Sequence, residues 1–297
     1  MKMRADLHIH SKYSSDGEKS PQELAAIAKS KNLAIIALCD HETTAGTKEM
    51  MEAAADLGIT AIPGIELNGE IDGDIAHILG LGLDPESTRF DNNLAAFEEH
   101  DKDATDLMIR LFRDEFSMDF DFALMRGRCL AANWNMLPLV DELLTNPKYR
   151  NMEKIQTYLP GGEKSDFPAG SMYWDYCLKG QPLYIPPDIP NYKKVIEEIH
   201  QDGGIAILAH PFNLFYEQYE YLQAMKDAGL DGIEAYSNYH DDSQNAWYHQ
   251  YCLEQGLLVS GGSDYHGAYK PHVVMGEFSC RNQEEVLADI LKVLLKK

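Results

Sequence analysis

RADLHIHSKYSSDG, residues 4–17, places an aspartate, two histidines one residue apart and a second aspartate in one short stretch. On a β-strand, side chains at i and i+2 share a face. A strand here therefore presents His8 and His10 side by side, with Asp6 on the same side and Asp16 in the loop that follows. Two imidazoles so placed suit a bound cation.

Working outward, the first eighty residues alternate strand-like and helix-like segments. In SPQELAAIAKSKN (20–32), Ser20 stands at the N-cap, Pro21 at the first helical position, and Glu23 completes a capping box. LAIIALCD (33–40) is a nearly continuous apolar run, as in a strand buried on both faces. A helix over 44–57 ends at Gly58, and ITAIPGIE (59–66) and IAHILGLGL (75–83) read as the next strands. This rhythm predicts parallel strands with crossover helices.

The rhythm returns near residue 188. GIAILAHP, DGIEAYS and LLVSGGSDYH alternate with helical segments, and QEEVLADILKVLLKK closes the chain with lysines at its negative dipole end. Residues 85–187 break the pattern with a long charged helical stretch (85–117), proline–glycine punctuation and an aromatic-rich piece. The expected organisation is one barrel made of 1–84 and 188–297, with 85–187 as a helical insertion serving substrate recognition or acting as a lid.

The bulk composition narrows the function. A chain of 297 residues, 44% hydrophobic and 25% charged, can bury a sizeable core and shows no bias towards disorder. The formal charge of −22 repels nucleic-acid backbone and anionic membrane, so a small substrate is favoured over long nucleic acid. Cys39, Cys129, Cys177, Cys252 and Cys280 are scattered without C-x-x-C spacing, which suits free thiols in a reducing compartment. No signal-peptide pattern and no apolar run of membrane length is visible. The expectation is a cytoplasmic protein without a membrane partner.

Most strand ends carry a group able to bind metal. His8, His10 and Asp16 follow the first strand, Asp40 and His41 the second, and Glu66 the third. His77 lies in the fourth, His210 ends GIAILAH, and Asp264 and His266 end the last. In a parallel barrel the C-terminal strand ends converge on one face, where active sites are built. So many ionisable groups in one pocket are costly unless cations pair with them. Imidazole and carboxylate together suit zinc, manganese or iron. His100, His200, His249 and His272 sit in helical or polar stretches and read as structural.

With DLHIHSKYSSDG, LCDHET, GIELNGEIDGDIAHILGLGLD, ILAHP, GIEAYSNYH and SGGSDYHG in this order over residues 6–267, the chain resembles the PHP superfamily, named for its polymerase and histidinol-phosphatase members. The resemblance implies a distorted (β/α)7 TIM-like barrel with a centre of two to three divalent ions (manganese, iron or zinc). By motif position, His8, His10, Glu66 and Asp264 would hold the first metal. Glu66 would bridge to a second that also takes His77 and His210, while Asp16, His41 and His266 would hold the third. Asp6 and Asp40, beside ligand histidines, are expected to orient imidazole rings.

Clustered divalent ions activate water and neutralise a phosphoryl group. No G-x-S-x-G, Cys–His pairing or G-x-x-x-x-G-K-[ST] loop competes with that chemistry. The reading is a phosphoesterase acting on a small phosphorylated substrate, a nucleotide or sugar phosphate, with a metal-bridging hydroxide as nucleophile and Asp264, Glu66 and His210 as catalytic groups. Asp264 or a nearby histidine would protonate the leaving oxygen. Alternatives are a metal-dependent hydrolase of a non-phosphate bond, a 5′-3′ exoribonuclease-like enzyme, and a non-catalytic metal-binding module.

The insertion resembles that of small-molecule PHP phosphoesterases through RGRCLAA (126–132) and YCLKGQPLYIP (176–186). Where those relatives usually carry Arg-Pro-His, this chain has Asn133-Trp134-Asn135. The change removes a cation and an imidazole, leaving Arg126, Arg128 or Lys179 to meet substrate phosphate. It points away from nucleoside bisphosphates and RNA ends. Trp134, Tyr173, Trp174, Tyr176 and Tyr184 either pack the insertion or offer a stacking wall. His240, after a barrel strand, is a further candidate for substrate contact.

Overall fold

Ser20 caps its helix as expected: its side chain accepts from the Glu23 amide while the Glu23 carboxylate accepts from the Ser20 amide. That helix sits in a computed structural model describing residues 4–296 except Ser15, Asn133, Phe167 and Arg281. The order is β1 (Ala5–Ile9), α1 (Pro21–Ser30), β2 (Ile35–Leu38), α2 (Thr47–Asp56), β3 (Thr60–Ile71) and β4 (Asp74–Leu81). Four helices follow: α3 (Asn93–Glu115), α4 (Phe122–Leu130), α5 (Leu137–Thr145) and α6 (Pro168–Tyr176). Then come α7 (Tyr192–Gln201), β5 (Ile205–Leu208), α8 (Phe212–Phe215), α9 (Tyr219–Asp227) and β6 (Gly232–Tyr236). The last elements are α10 (Asp242–Gln255), β7 (Leu258–Gly261), α11 (Gln283–Val286) and α12 (Ala288–Leu294).

The chain divides into two compact units, residues 1–94 with 189–297, and residues 95–188. In the first, seven strands pair in sequence order. The ring is drawn together past the end of β7, where the Asp264 amide donates to the His8 carbonyl and the His10 amide to the Tyr265 carbonyl, both at 2.9 Å. This is a distorted seven-stranded TIM-like barrel. Its interior packs Ala5, Leu7, Ala37, Ile62, Leu79 and Ile207 against Phe278 and α12. Outside, Leu24 and Ala28 of α1 and Met50 and Ala54 of α2 cover Ile36 and Leu38.

Two expectations about the strands are corrected. β4 pairs antiparallel with both β3 and β5, whereas the other pairings are parallel. The cause is the two-residue link Asp72-Gly73, both at positive φ (51° and 82°), which makes a hairpin and leaves no length for a crossover helix. Glu66 also does not end its strand: β3 pairs with β2 through Pro63 and then runs on to Ile71 as a ribbon with β4.

The second unit has its own core of Ile109, Phe112, Phe116, Met125, Leu139, Leu143, Ile155 and Met172. Trp134 and Tyr176 pack against that core, while Tyr173 and Trp174 of α6 are exposed. No helix among the described residues is long and apolar enough to cross a membrane.

Candidate metal centre

Glu66 is the hub. Its Oε1 lies 2.9 Å from His77 Nδ1 and 3.0 Å from His210 Nε2. Its Oε2 lies 3.1 Å from both His8 Nε2 and His10 Nε2 and 3.4 Å from His41 Nδ1. The carboxylate is buried, which raises its pKa, but the imidazoles, led by His41 and His8, hold it well below the usual range. Asp264 faces the same cluster, Oδ1 being 3.1 Å from His10 Nε2 and 3.5 Å from His8 Nε2. His266 Nε2 and Asp16 Oδ2 approach to 3.1 Å on the side nearest His41.

All nine residues expected as metal ligands therefore converge. Their donor atoms fall into three groups: His8, Glu66, His210 and Asp264; His41, Glu66 and His77; and His10, Asp16, His41 and His266. Within each group the atoms lie within 4.8 Å of one another. Relative to the expected sets, His210 joins His8 and His10 joins the third group. His10 Nε2 nonetheless stays 3.1 Å from Glu66 and Asp264, so the expected grouping is also within reach.

A direct observation supports a cation here. Asp264 Oδ1 and His266 Nε2 are enclosed and have no hydrogen-bond partner, although each has an opposite-type atom at 3.1 Å. Lone pairs that converge without aligning as hydrogen bonds are arranged as a ligand set, and an unmet buried polar atom is otherwise costly. The hard and borderline donors fit divalent manganese, iron or zinc.

The supporting groups differ from expectation. Asp6 and Asp40 hold loops rather than imidazole rings. Asp6 accepts from Ser263 N (2.9 Å), Ser263 Oγ (2.6 Å) and Gly276 N (2.7 Å), anchoring the loop that carries Asp264. Asp40 accepts from Ser11 N (2.6 Å) and Oγ (2.7 Å), fixing the turn after His10. The ring of His8 is instead met by Glu234, whose Oε2 is 3.1 Å from Nδ1 and also accepts the His210 amide at 2.8 Å. An acid inside the otherwise apolar segment GIEAY (232–236) is the sequence signal for it.

Tyr239 and Lys270 were missed as well. Tyr239 Oη donates to Asp264 Oδ2 at 2.5 Å, and Lys270 Nζ donates to that oxygen at 2.6 Å and to Tyr239 Oη at 2.7 Å. Burial and the Asp264 charge push the phenol up, so it stays protonated. Both residues line, with Asp16, His41, His77, His210, Phe212 and Asp264, a cavity of about 280 Å³.

The backbone around the centre is strained. Glu42, His210, Phe212 and Asp264 have positive φ (56°, 21°, 39° and 57°). Such conformations cost on the order of 1–3 kcal/mol each and persist where surroundings over-determine them. His240 supplies one such restraint: its Nε2 accepts the Phe212 amide at 3.0 Å, while Nδ1 donates to the Ala235 carbonyl at 3.2 Å. Both ring nitrogens are thus engaged by backbone, which runs against the expected substrate contact.

Among the remaining candidates, Arg126 pairs with Asp106 at 2.6 Å, and Arg128 lies near Asp141 and Glu142 (3.4 and 3.5 Å). Both belong to the second unit, as does Lys179. Asn133 falls outside the described residues, while Asn135 donates to Asp101 and Thr105. His200 pairs with Asp231 and His249 with Tyr236, away from the centre.

The PHP domain model matches residues 6–296. The chain belongs to the PHP domain family. Relatives include the phosphoribosyl 1,2-cyclic phosphate 1,2-diphosphodiesterase of Eggerthella lenta, 29% identical over 91% of this chain and 98% of its own. A 5′-3′ exoribonuclease of Haemophilus influenzae is 30% identical over 90% and 91%, and a 3′,5′-nucleoside bisphosphate phosphatase of Chromobacterium violaceum 28% over 88% and 86%. Among solved structures, an amidohydrolase of Chromobacterium violaceum with bound sulfate superposes with TM-score 0.68 at 23% identity over 96% of both chains. That likeness speaks to the fold.

Proposed function

We propose that this PHP protein is a metal-dependent phosphoesterase that hydrolyses a small phosphorylated substrate, a nucleotide, sugar phosphate or cyclic phosphate. One observation carries the reading: a single buried carboxylate, Glu66, faces five imidazoles with both of its oxygens. That arrangement suits a ligand that neighbouring cations would share. The family relatives, named as a diphosphodiesterase, a bisphosphate phosphatase and exoribonucleases, support the reaction class.

In this assignment His8, His10, Asp16, His41, Glu66, His77, His210, Asp264 and His266 hold two to three divalent ions. Bound there, divalent ions would supply an activated water and neutralise charge on phosphoryl oxygens. The chain's own residues do the rest. Glu234 fixes the His8 ring and the His210 amide, and Asp6 and Asp40 hold the loops of Asp264 and His10. Asp264 keeps Oδ1 at the histidines and accepts from Tyr239 on Oδ2, so the Tyr239 hydroxyl holds a proton beside the ligand cluster.

The replacement Asn133-Trp134-Asn135 and the charge of −22 favour a small phosphate ester over RNA ends. The test is phosphate release from nucleoside monophosphates, bisphosphates, sugar phosphates, cyclic phosphates and short RNA, with Mn²⁺ supplied. Release from one of the small esters supports the reading. Full metal occupancy with no phosphate ester cleaved overturns it.

A further inference from the structure

We propose that Lys270, seated on Tyr239 and Asp264, is the cation that receives a substrate phosphoryl oxygen in the 280 Å³ cavity. The inference rests on the phosphoesterase reading and names the group that holds its substrate. Sequence alone directs attention to Arg126, Arg128 and Lys179, yet the two arginines are paired with acids of their own unit. Lys270 lies four residues beyond His266 and lines the same cavity as Asp16, His41, His77, His210 and Asp264. Among the described residues lining that cavity it is the one lysine or arginine.

The geometry separates two tasks of Asp264. Its Oδ1 faces His8 and His10, and its Oδ2 accepts from both Tyr239 and Lys270. An ammonium carries three donors. Two of them go to Asp264 Oδ2 and Tyr239 Oη, which fixes the lysine head at the cavity wall and leaves a third. The Lys270 side chain keeps 30% of its surface accessible while Asp264 keeps 2%, so the pair is buried on the carboxylate side and open on the ammonium side. A phosphate monoester dianion entering beside the histidines meets that open side. Charge-assisted N–H···O bonds to phosphate are among the stronger polar contacts available.

The rival role for Lys270 is purely to balance the charge of Asp264, and the two are separable. Inorganic phosphate is titrated calorimetrically into the Mn²⁺-loaded protein, with bound metal measured on the same samples, for wild type, Lys270→Met, Lys270→Arg and Tyr239→Phe. The expected result is unchanged metal content in Lys270→Met with phosphate bound about tenfold more weakly or worse, and recovery to within about threefold in Lys270→Arg. Tyr239→Phe, which frees the ammonium from one partner, should weaken phosphate by a smaller factor. Phosphate affinity unchanged in Lys270→Met overturns the proposal, as does loss of metal in Lys270→Met, which would show that the lysine acts through Asp264. Wild-type protein that holds metal but binds no phosphate would instead overturn the phosphoesterase reading.

Discussion

At the scale of single residues, Glu66 carries the account. Glu66→Gln keeps the shape of the side chain but removes the charge shared by five imidazoles. Bound metal should fall and turnover drop by roughly a hundredfold or more, with far-UV circular dichroism unchanged. Full activity in that variant would remove Glu66 from the centre. Glu234→Gln acts at one remove, through the His8 ring, so metal affinity should fall by about 10–100-fold, read by competition with a chelating dye. The nine converging residues were legible in sequence because histidines and acids recur at strand ends and because the motifs of the PHP resemblance take in Glu66 and His77, which lie inside β3 and β4. Tyr239 and Lys270 were not, because a tyrosine and a lysine in polar loops carry no pattern until the loops are folded.

At the scale of elements, the stretch after β7 decides whether the centre assembles. A Cβ on Gly262 would meet His8 Cβ at 2.3 Å and the His8 amide nitrogen at 2.8 Å. Gly262→Ala must therefore push β1 and this loop apart, costing about 1–3 kcal/mol in a thermal or urea unfolding measurement and weakening metal binding at the same time. A variant as stable as wild type with full metal would show that this close approach is not needed. The helices and most strands were readable from capping boxes and apolar runs. The antiparallel β4 was not, because IAHILGLGL has the same apolar character in either direction. Only the Asp72-Gly73 hairpin, within the continuous ribbon of β3 and β4, fixes its sense. The loop-holding roles of Asp6 and Asp40 were hidden for a similar reason: their partners, the amides of Ser263, Gly276 and Ser11 and the two serine hydroxyls, are brought near only by folding.

At the scale of the whole molecule, the ligand cluster makes stability depend on pH and metal together. Burial pulls the His10 imidazole down, but hydrogen bonds to Asp264 and Glu66 outweigh it and raise the metal-free value to about 9. Burial takes His41 the other way, to about 3. A folded-state value above the unfolded ~6.5 gives His10 a stabilisation that is complete below about pH 6.5 and is lost as the pH rises through 9. The depressed value of His41 withdraws stability as the pH falls below about 6.5. The metal-free protein should therefore unfold at its highest temperature near pH 6.5, and a melting temperature rising steadily from there to about pH 9 would contradict this. Metal binding displaces protons from the same imidazoles, so the stabilisation by Mn²⁺ should grow over that interval. The most direct test of the central claim is the metal content of the purified chain and of Glu66→Gln, each stripped by chelator, reloaded with Mn²⁺ and measured by elemental analysis. Two to three equivalents in the wild type, with a clear loss in the variant, is the predicted result; no bound metal in the wild type, or equal content in both, would contradict the account.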